Sequence, residues 1–182
     1  MPAHCRKALK LLAAKLPRPH IALAHSMGGA IVLRALQTRR IELDGAAFSA
    51  PMWGIHMHPA LRPAAWVVST LSRPLGQSHL YAPGTTSQTY VLEAPFTVNV
   101  LTRDAGMYEF MRRQVRAHPD LSLGGPSLHW LNEALRDCLD LRRHTLPALP
   151  CYTALGTLER VVDPAPVRER MARWPQGQLD LI

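Results

Sequence analysis

Residues 20–40 of the chain read HIALAHSMGGAIVLRALQTRR, and this stretch decides how the rest is interpreted. Its first five residues form a short apolar run that follows two prolines, which would end any preceding helix. Such a run predicts a buried parallel strand. Residues 30–40 have the composition of a helix. The predicted order is therefore strand, sharp turn and helix, with Ser26 at the turn.

The residues around Ser26 are small where such a turn requires it. A serine there has a strained backbone, and the strand before it passes close to the helix after it. Ala24 and Gly28, two positions before and two after Ser26, leave room for that approach, and Gly29 follows. The pattern is typical of a nucleophile elbow, in which the first helical amide, here that of Met27, faces a developing oxyanion. The alternative is a serine that caps an ordinary helix.

Residues 24–29 resemble the elbow of the monoacylglycerol lipase and bacterial lysophospholipase group, the serine aminopeptidase-like α/β-hydrolases. Residues 45–52 resemble the strand that follows the elbow helix in that group. Residues 99–104 and 123–126, with Trp130 shortly after, resemble the cap of its lysophospholipase-type members. The resemblance extends over nearly the whole chain, although only the elbow is specific by itself.

This resemblance implies the α/β class, as a partial α/β-hydrolase fold with a mostly parallel sheet, flanking helices and an inserted helical cap. We expect residues 1–53 to form the elbow part of the core, 54–146 the cap, and 147–182 the acid-loop part. The middle segment is far longer than a crossover between parallel strands requires. Its apolar residues at helical spacing fit an ordinary core or a lid over an acyl-chain pocket.

The catalytic acid is expected after the third strand. Residues 150–156 are apolar and end in a glycine, and the family places its acid three residues further on, which is Glu159 here. Asp163 is the alternative, because it also resembles a recurrent family position. An aspartate before Pro164 fits the start of a helix, so we expect Asp163 to cap that helix and Glu159 to orient the catalytic histidine. Both could instead be surface loop carboxylates.

The histidine of the triad has no counterpart in the sequence. The family places it after one further strand, which is expected to begin at Leu179, and none of the nine histidines follows Glu159. His25 is the strand neighbour of Ser26 and is expected to be structural. Upstream, nothing resembles the loop that carries the second oxyanion amide. The sequence is therefore interpreted as an internal piece of a longer enzyme or as the product of a truncated gene, shortened at both ends.

The leading hypothesis is a serine-nucleophile carboxylic ester hydrolase of the lysophospholipase or monoacylglycerol lipase type, which acts through an acyl-enzyme. Alternatives are a peptidase or thioesterase on the same fold, and a catalytically dead fragment or binding module. The expected partner is a small-molecule, lipid-like ester. No metal and no cofactor is implied, the oligomeric state is left open, and a transient contact of the cap with a membrane surface is also left open.

Composition limits the expected partners and cellular compartment of the protein. The net charge is +8, but the basic residues are scattered pairs near predicted helix ends, so nucleic acid is not an expected partner. Three cysteines without CxxC spacing indicate a reduced, cytoplasmic environment. Lysines interrupt the apolar run of residues 1–16, which predicts an amphipathic helix rather than a signal peptide. No stretch is long enough to span a bilayer.

Overall fold

The computed structural model describes residue 11 and residues 15–182 of the chain. Most of the amphipathic helix predicted for residues 1–16 lies outside the described residues. The elements are, in order, β1 (Ile21–His25), α1 (Met27–Gln37), β2 (Gly45–Ser49), α2 (Arg62–Ser72), α3 (Tyr90–Glu93), α4 (Ala105–Ala117), α5 (Leu128–Arg143), β3 (Cys151–Leu155), α6 (Pro164–Met171) and β4 (Gly177–Leu181).

The four strands form one parallel sheet in the order β1-β2-β3-β4. Ala24 pairs with Phe48, and Phe48 pairs with Thr153. Because all four strands run in the same direction, their carboxyl ends lie at one edge of the sheet. The predicted α/β class with a parallel sheet is confirmed. β4 begins at Gly177, two residues before the predicted start of the last strand.

The two faces of this sheet differ in burial. One face carries the buried side chains of Ala24, Phe48 and Thr153. The opposite face carries Ile21 and Leu23, which are 64% and 82% exposed. All-parallel sheets are normally covered on both faces. Among the described residues, this second face exposes apolar side chains on β1.

The chain divides into two compact units. The first contains the residues up to His56 together with Arg136–Ile182, and it holds the four-stranded sheet. The second is Met57–Leu135, which is helical and lies within the segment expected to be a cap. Helix α5 begins in the second unit and ends in the first. The three-part domain assignment itself stays a prediction.

Aromatic rings fill the core of the first unit. Trp53 has no exposed surface; its ring centroid is 5.2 Å from that of Phe48 and 6.2 Å from that of Trp174, on which it stacks. The Cζ atom of Arg170 lies 5.6 Å from the Trp53 ring centroid. Burial lowers the pKa of the Arg170 guanidinium, whose Nη2 donates to the carbonyl oxygen of Leu141 at 2.7 Å. This contact joins α6 to the end of α5.

Helix α1 is bound to the same end of α5 by polar side chains. Nη1 of Arg34 lies 2.9 Å from Oδ1 of Asp137 and 3.0 Å from Oδ2 of Asp140. Nε2 of Gln37 donates to the carbonyl oxygen of Leu141 at 3.1 Å. A single exposed ion pair contributes little to stability, but a cation shared by two carboxylates in a fixed geometry orients the two helices. The helix that follows the turn at Ser26 is thus held in place from its far end.

The second unit packs α2 against α5 through polar groups. Nδ2 of Asn132 donates to Oγ of Ser69 at 3.1 Å and to Oγ1 of Thr70 at 3.0 Å. Elsewhere in the unit, the buried Tyr108 of α4 donates its hydroxyl to the carbonyl oxygen of Ala94 at 2.8 Å. In the part of the chain that the structure describes, no helix has the length and apolar content needed to cross a bilayer.

Candidate active site at the turn after β1

Ser26 occupies the turn between the last residue of β1 and the first residue of α1. Its backbone dihedrals are φ 47° and ψ −121°. Residues with a side chain rarely adopt a positive φ, and such strain concentrates at functional sites. The predicted order of strand, sharp turn and helix is confirmed, with the strain located at Ser26.

The side chain of Ser26 does not cap the helix. A capping serine has an extended backbone and accepts a hydrogen bond from an amide in the first helical turn. Ser26 precedes α1 directly but makes no side-chain capping hydrogen bond, and its φ is positive. The alternative of an ordinary helix cap therefore does not fit, and the hydroxyl is not committed to that role.

The backbone of this turn is held by the strand and loop that follow α1. The amide of Ser26 donates to the carbonyl oxygen of Ser49 at 3.1 Å. The carbonyl oxygen of Ser26 accepts from the amides of Gly29 and Met52, both at 2.9 Å. Ala50 has a φ of 40°, which turns the chain from β2 toward that contact. Sequence analysis missed this second strained residue, because only the tertiary fold places it beside Ser26.

The glycine that the turn requires most is Gly29. A Cβ atom on Gly28 would lie 3.9 Å from Cβ of Ala24, which is an ordinary contact. A Cβ atom on Gly29 would lie 2.6 Å from Cβ of Pro51, which is too close. The expected crowding between positions 24 and 28 is therefore mild. The tight approach is between the start of α1 and the loop after β2.

Met27 is the first residue of α1, and its side chain is 46% exposed. The first four amides of an α-helix have no acceptor within the helix. The positive end of the helix dipole is located there too, which favours a negative charge. The Met27 amide, adjacent to Ser26, is therefore placed where an oxyanion could be stabilised.

Glu159 lies in the loop between β3 and α6 and is partly exposed. Its Oε1 accepts hydrogen bonds from the amides of Val161 at 2.7 Å and Val162 at 3.1 Å. Two main-chain donors on one oxygen fix the direction of the carboxylate. Glu159 is therefore a positioned group rather than a freely rotating surface carboxylate.

Asp163 caps α6, as predicted. Its Oδ1 accepts from the amide of Ala165 at 3.0 Å, and its own amide donates to the carbonyl oxygen of Gly54 at 2.9 Å. The bond from the Ala165 amide is the contact of a helix N-cap. The two carboxylates of this segment thus have different local roles.

Ser26 and Glu159 lie at the same edge of the sheet. Ser26 follows β1 and Glu159 follows β3, and β2 lies between these strands. Two strand spacings correspond to about 10 Å. Catalytic groups of open α/β sheets gather at this carboxyl edge. Ser26 and Glu159 thus follow strands whose carboxyl ends share one edge, and the role of Glu159 as the acid stays a prediction.

His25 is bound to β2. Its Nδ1 lies 2.9 Å from the carbonyl oxygen of Ser49 and 3.3 Å from the Oγ of that residue. A carbonyl only accepts hydrogen bonds, so Nδ1 carries the proton. This contact fits the structural role expected for His25.

The cysteines of the described chain are poor nucleophiles. Burial raises the pKa of the Cys138 thiol to about 12 and that of the Cys151 thiol to about 11. Thiolate, the reactive form, is scarce at neutral pH under these conditions. Within residue 11 and residues 15–182, no group of three or more histidine, cysteine or carboxylate side chains is arranged to hold a metal ion.

Comparison with known sequences gives consistent matches. A family model described as serine aminopeptidase, S33, matches residues 5–182. Lysophospholipase L2 of Escherichia coli K12 is 33% identical over 118 residues, which are 65% of this chain and 34% of that protein. Probable lysophospholipase L2 of Haemophilus influenzae is 27% identical over 162 residues, 88% of this chain and 50% of that protein. The chain spans between one third and one half of the length of these relatives.

Solved structures give the same fold. A monoglyceride lipase from Saccharomyces cerevisiae matches with a TM-score of 0.66 at 18% identity, over 98% of this chain and 56% of that one. A monoacylglycerol lipase from Paleococcus ferrophilus matches with a TM-score of 0.66 at 14% identity, over 98% of this chain and 63% of that one. At such identities the likeness establishes the fold alone, which is that of the α/β-hydrolases.

Proposed function

Because the chain belongs to the serine aminopeptidase (S33) family of α/β-hydrolases, we propose that Ser26 is the nucleophile of an enzyme that hydrolyses lipid-like carboxylic esters. The observation that carries the proposal is the turn at Ser26, with its positive φ, its hydroxyl not used for capping and a helix N-terminus directly after it. The two curated relatives are named lysophospholipases. The chain spans at most half of them, so the activity of the whole protein is part of the proposal.

The proposed reaction proceeds through an acyl-enzyme. The Ser26 oxygen attacks the ester carbonyl carbon while its proton passes to a general base. The carbonyl oxygen becomes negative and accepts a hydrogen bond from the amide of Met27. Collapse of this intermediate breaks the bond to the alcohol, which leaves with the proton. Water then cleaves the acyl-enzyme in the same way and releases the carboxylic acid.

Glu159 is proposed to orient the base and to stabilise its positive charge. Its Oε1 is already held by the amides of Val161 and Val162. Asp163 is less suited, because its Oδ1 is bound to the amide of Ala165. A glutamate can take the place of aspartate as the acid of an α/β-hydrolase.

We propose that the base is a histidine outside these 182 residues, which span at most half of their curated relatives. His25 is the nearest histidine in sequence, but its Nδ1 is bound to Ser49. His56 lies beside the Glu159 loop, where its amide donates to the carbonyl oxygen of Val161 at 3.3 Å, and it is the alternative base within this chain. With the base outside the chain, the 182 residues are expected to acylate slowly, since a neutral hydroxyl is a weak nucleophile and loss of a triad residue lowers the rate by several orders of magnitude.

The test is rescue with imidazole, which can replace a missing histidine from solution. We would measure hydrolysis of p-nitrophenyl butyrate by the chain and by Ser26→Ala at increasing imidazole concentrations. The expected result is a slow rate that imidazole raises several-fold in the chain only, with the butyryl group located on Ser26 by peptide mass spectrometry. Equal rates in both proteins, or a butyryl group on another residue, would overturn the assignment of Ser26.

A peptidase is the second candidate, favoured by the description of the family model. The same acyl-enzyme chemistry hydrolyses esters and amides, so the fold does not determine which of the two is the substrate. Values of kcat/KM for a monoacylglycerol, a lysophosphatidylcholine and an aminoacyl p-nitroanilide, measured on a protein that contains the proposed histidine, would distinguish the two activities. A larger value for the nitroanilide would replace the ester hypothesis.

A further inference from the structure

Arg170 of α6 is a buried cation, with 3% of its surface exposed. Its Nη2 donates to the main-chain carbonyl oxygen of Leu141, while its Nε has no hydrogen-bond partner among the described residues. The neighbouring carboxylate of Glu169 is engaged instead by Arg142 at 3.7 Å and Arg173 at 3.2 Å. Charged side chains are almost never buried to this degree without a partner of opposite charge. The burial of Arg170 therefore requires a reason other than an ion pair.

The bond from Arg170 to the end of α5 does not by itself account for this cation. The last carbonyl oxygens of a helix have no partner within the helix, so a side-chain donor satisfies them. The carbonyl oxygen of Leu141, however, also accepts from Nε2 of Gln37 at 3.1 Å. A neutral side chain thus serves the same acceptor without the cost of burying a charge. The role of Arg170 is therefore sought in its other contact.

The other contact of Arg170 is with the ring of Trp53. The Cζ atom of Arg170 lies 5.6 Å from the centroid of that ring. This distance is within the range of a cation–π interaction, which strengthens when both groups are shielded from water. Trp53 has no exposed surface, so both groups are shielded here. Trp174, four residues after Arg170, stacks on the same ring with the centroids 6.2 Å apart. The segment that contains α6 thus holds the Trp53 ring with a cation and an aromatic side chain.

Trp53 is connected to the turn at Ser26 in two ways. Its indole N–H donates to the carbonyl oxygen of Gly29, whose amide donates to the carbonyl oxygen of Ser26. Met52, the residue before Trp53, donates its amide to the same carbonyl oxygen of Ser26. A displacement of the Trp53 ring would therefore disturb both hydrogen bonds that the Ser26 carbonyl oxygen accepts.

We propose that Arg170 is a positioning residue for Ser26, which acts by holding the Trp53 ring and, through it, the backbone of the turn. Arg170 touches no reacting atom. The inference rests on the proposed function, because the turn that Arg170 positions carries the proposed nucleophile. Displacing a reacting group by about 1 Å lowers the rate strongly. Loss of Arg170 should therefore slow acylation without a matching loss of stability, since burial of an unpaired charge is itself unfavourable.

The first experiment follows indole protons by NMR and requires no activity. The chain has four tryptophans, whose indole N–H signals would be assigned with Trp→Phe variants. In Arg170→Met, we expect the Trp53 indole proton to exchange with deuterium about three- to tenfold faster relative to that of Trp174, because the opening is local. Gln37→Met is the matched control, since it removes the other side-chain donor to the Leu141 carbonyl oxygen and keeps the cation beside Trp53. Its ratio of the two exchange rates should equal that of the unchanged chain.

The second experiment measures imidazole-dependent acylation of the same variants by p-nitrophenyl butyrate. Arg170→Met should lower the Ser26-dependent rate about three- to tenfold, the size expected from loss of one shielded cation–π contact. Gln37→Met should leave the rate nearly unchanged. The effects of Arg170→Met and Trp53→Phe should be less than additive in the double variant, because Trp53→Phe already lacks the indole bond to Gly29. Arg170→Gln, which keeps a donor but no charge, provides the same comparison should Arg170→Met not fold.

Three results would overturn the proposal. The first is an unchanged ratio of the Trp53 and Trp174 exchange rates after loss of Arg170, and the second is strict additivity of the two substitutions in acylation. The third is a fall in acylation that the loss of folded protein, measured by urea denaturation, fully accounts for. Failure of the proposed function has a different signature, because Ser26→Ala would then acylate as fast as the unchanged chain. In that case the exchange experiment still determines whether Arg170 holds the Trp53 ring.

Discussion

Trp53 donates its indole Nε1–H to the carbonyl oxygen of Gly29 over 3.3 Å, which ties the loop after β2 to the first turn of α1. Gly29 in turn donates its amide to the carbonyl oxygen of Ser26 at 2.9 Å. A buried tryptophan thus supports the turn that carries the proposed nucleophile, although it lies outside both adjoining elements.

Trp53→Phe should therefore reduce acylation of Ser26 more than its effect on stability explains. The variant keeps an aromatic ring but loses the hydrogen bond, which contributes about 1 kcal/mol to the free energy of unfolding. Trp174→Phe is the comparison variant, because it loses a stacking partner of Trp53 and the bond from Nε1 to the carbonyl oxygen of Leu149 at 2.9 Å, but keeps the bond from Trp53 to Gly29. Urea denaturation and imidazole-dependent acylation would be measured for both. Equal acylation rates in the two variants would show that Trp53 does not position the turn.

Gly29→Ala and Gly28→Ala should have opposite effects on stability. The methyl group at position 29 would lie 2.6 Å from Cβ of Pro51, so the variant should lose about 1–3 kcal/mol through overpacking. The methyl group at position 28 meets only Ala24 at an ordinary distance, so this variant should gain up to about 1 kcal/mol from helix propensity. Thermal unfolding of both variants tests the pair. A stable Gly29→Ala protein would mean that the loop at Pro51 yields easily.

Glu159→Ala and Asp163→Ala should separate catalysis from capping. In a protein that contains the proposed histidine, loss of the acid should lower kcat by about 10³–10⁴-fold. Asp163→Ala should lower the free energy of unfolding by about 1 kcal/mol, through loss of the α6 cap, with kcat changed by less than tenfold. Steady-state kinetics and urea denaturation would be compared for the two variants. If Asp163→Ala has the larger effect on kcat, Asp163 is the acid.

Stability should fall as the pH rises above about 9, because of two buried thiols. Burial raises the pKa of Cys138 to about 12 and that of Cys151 to about 11 in the folded chain. In the unfolded chain the pKa values of both thiols return to the ordinary range of a cysteine. Between that range and the raised values of the folded chain, the unfolded state therefore binds fewer protons than the folded state. The free energy of unfolding then decreases with rising pH. Melting temperatures from pH 7 to pH 10 should show this decrease.

The control for that prediction is the double variant Cys138→Ala, Cys151→Ala. Its melting temperature should depend less steeply on pH in the alkaline range, whatever its absolute stability. An unchanged slope would assign the alkaline loss of stability to other groups.

Local patterns were sufficient to predict the framework of the site. The apolar run before Ser26, the small residues after it and the helix that follows are all encoded within about twenty residues, so the strand–turn–helix arrangement was predictable. The cap at Asp163 was also predictable, because aspartate before proline is a local signal. Each of these features depends on the chemistry of neighbours in sequence.

Features that depend on distant parts of the chain were not predictable. The contact between Arg34 and Asp137, and the bond from Met52 to Ser26, form only when separate elements meet. Hydrophobic periodicity identified helices in the middle segment, but periodicity does not say which side of a helix is buried. In α2, Val67, Val68 and Leu71 are exposed, whereas Ser69 is buried and accepts a hydrogen bond from Asn132.

The insertion of a helical unit between β2 and β3 has a consequence for the order of folding. Ala46 pairs with Cys151, and the intervening chain must be made before this pairing can form. At typical rates of about 5–20 residues per second, synthesis of that segment takes on the order of 5–20 s. During this interval β1 and β2 are complete but Phe48 has no β3 neighbour. A helical unit that folds first would shorten the loop to be closed and so reduce its entropic cost. The nascent chain is therefore most exposed to aggregation before β3 is made, and chaperone dependence should be greatest at that stage.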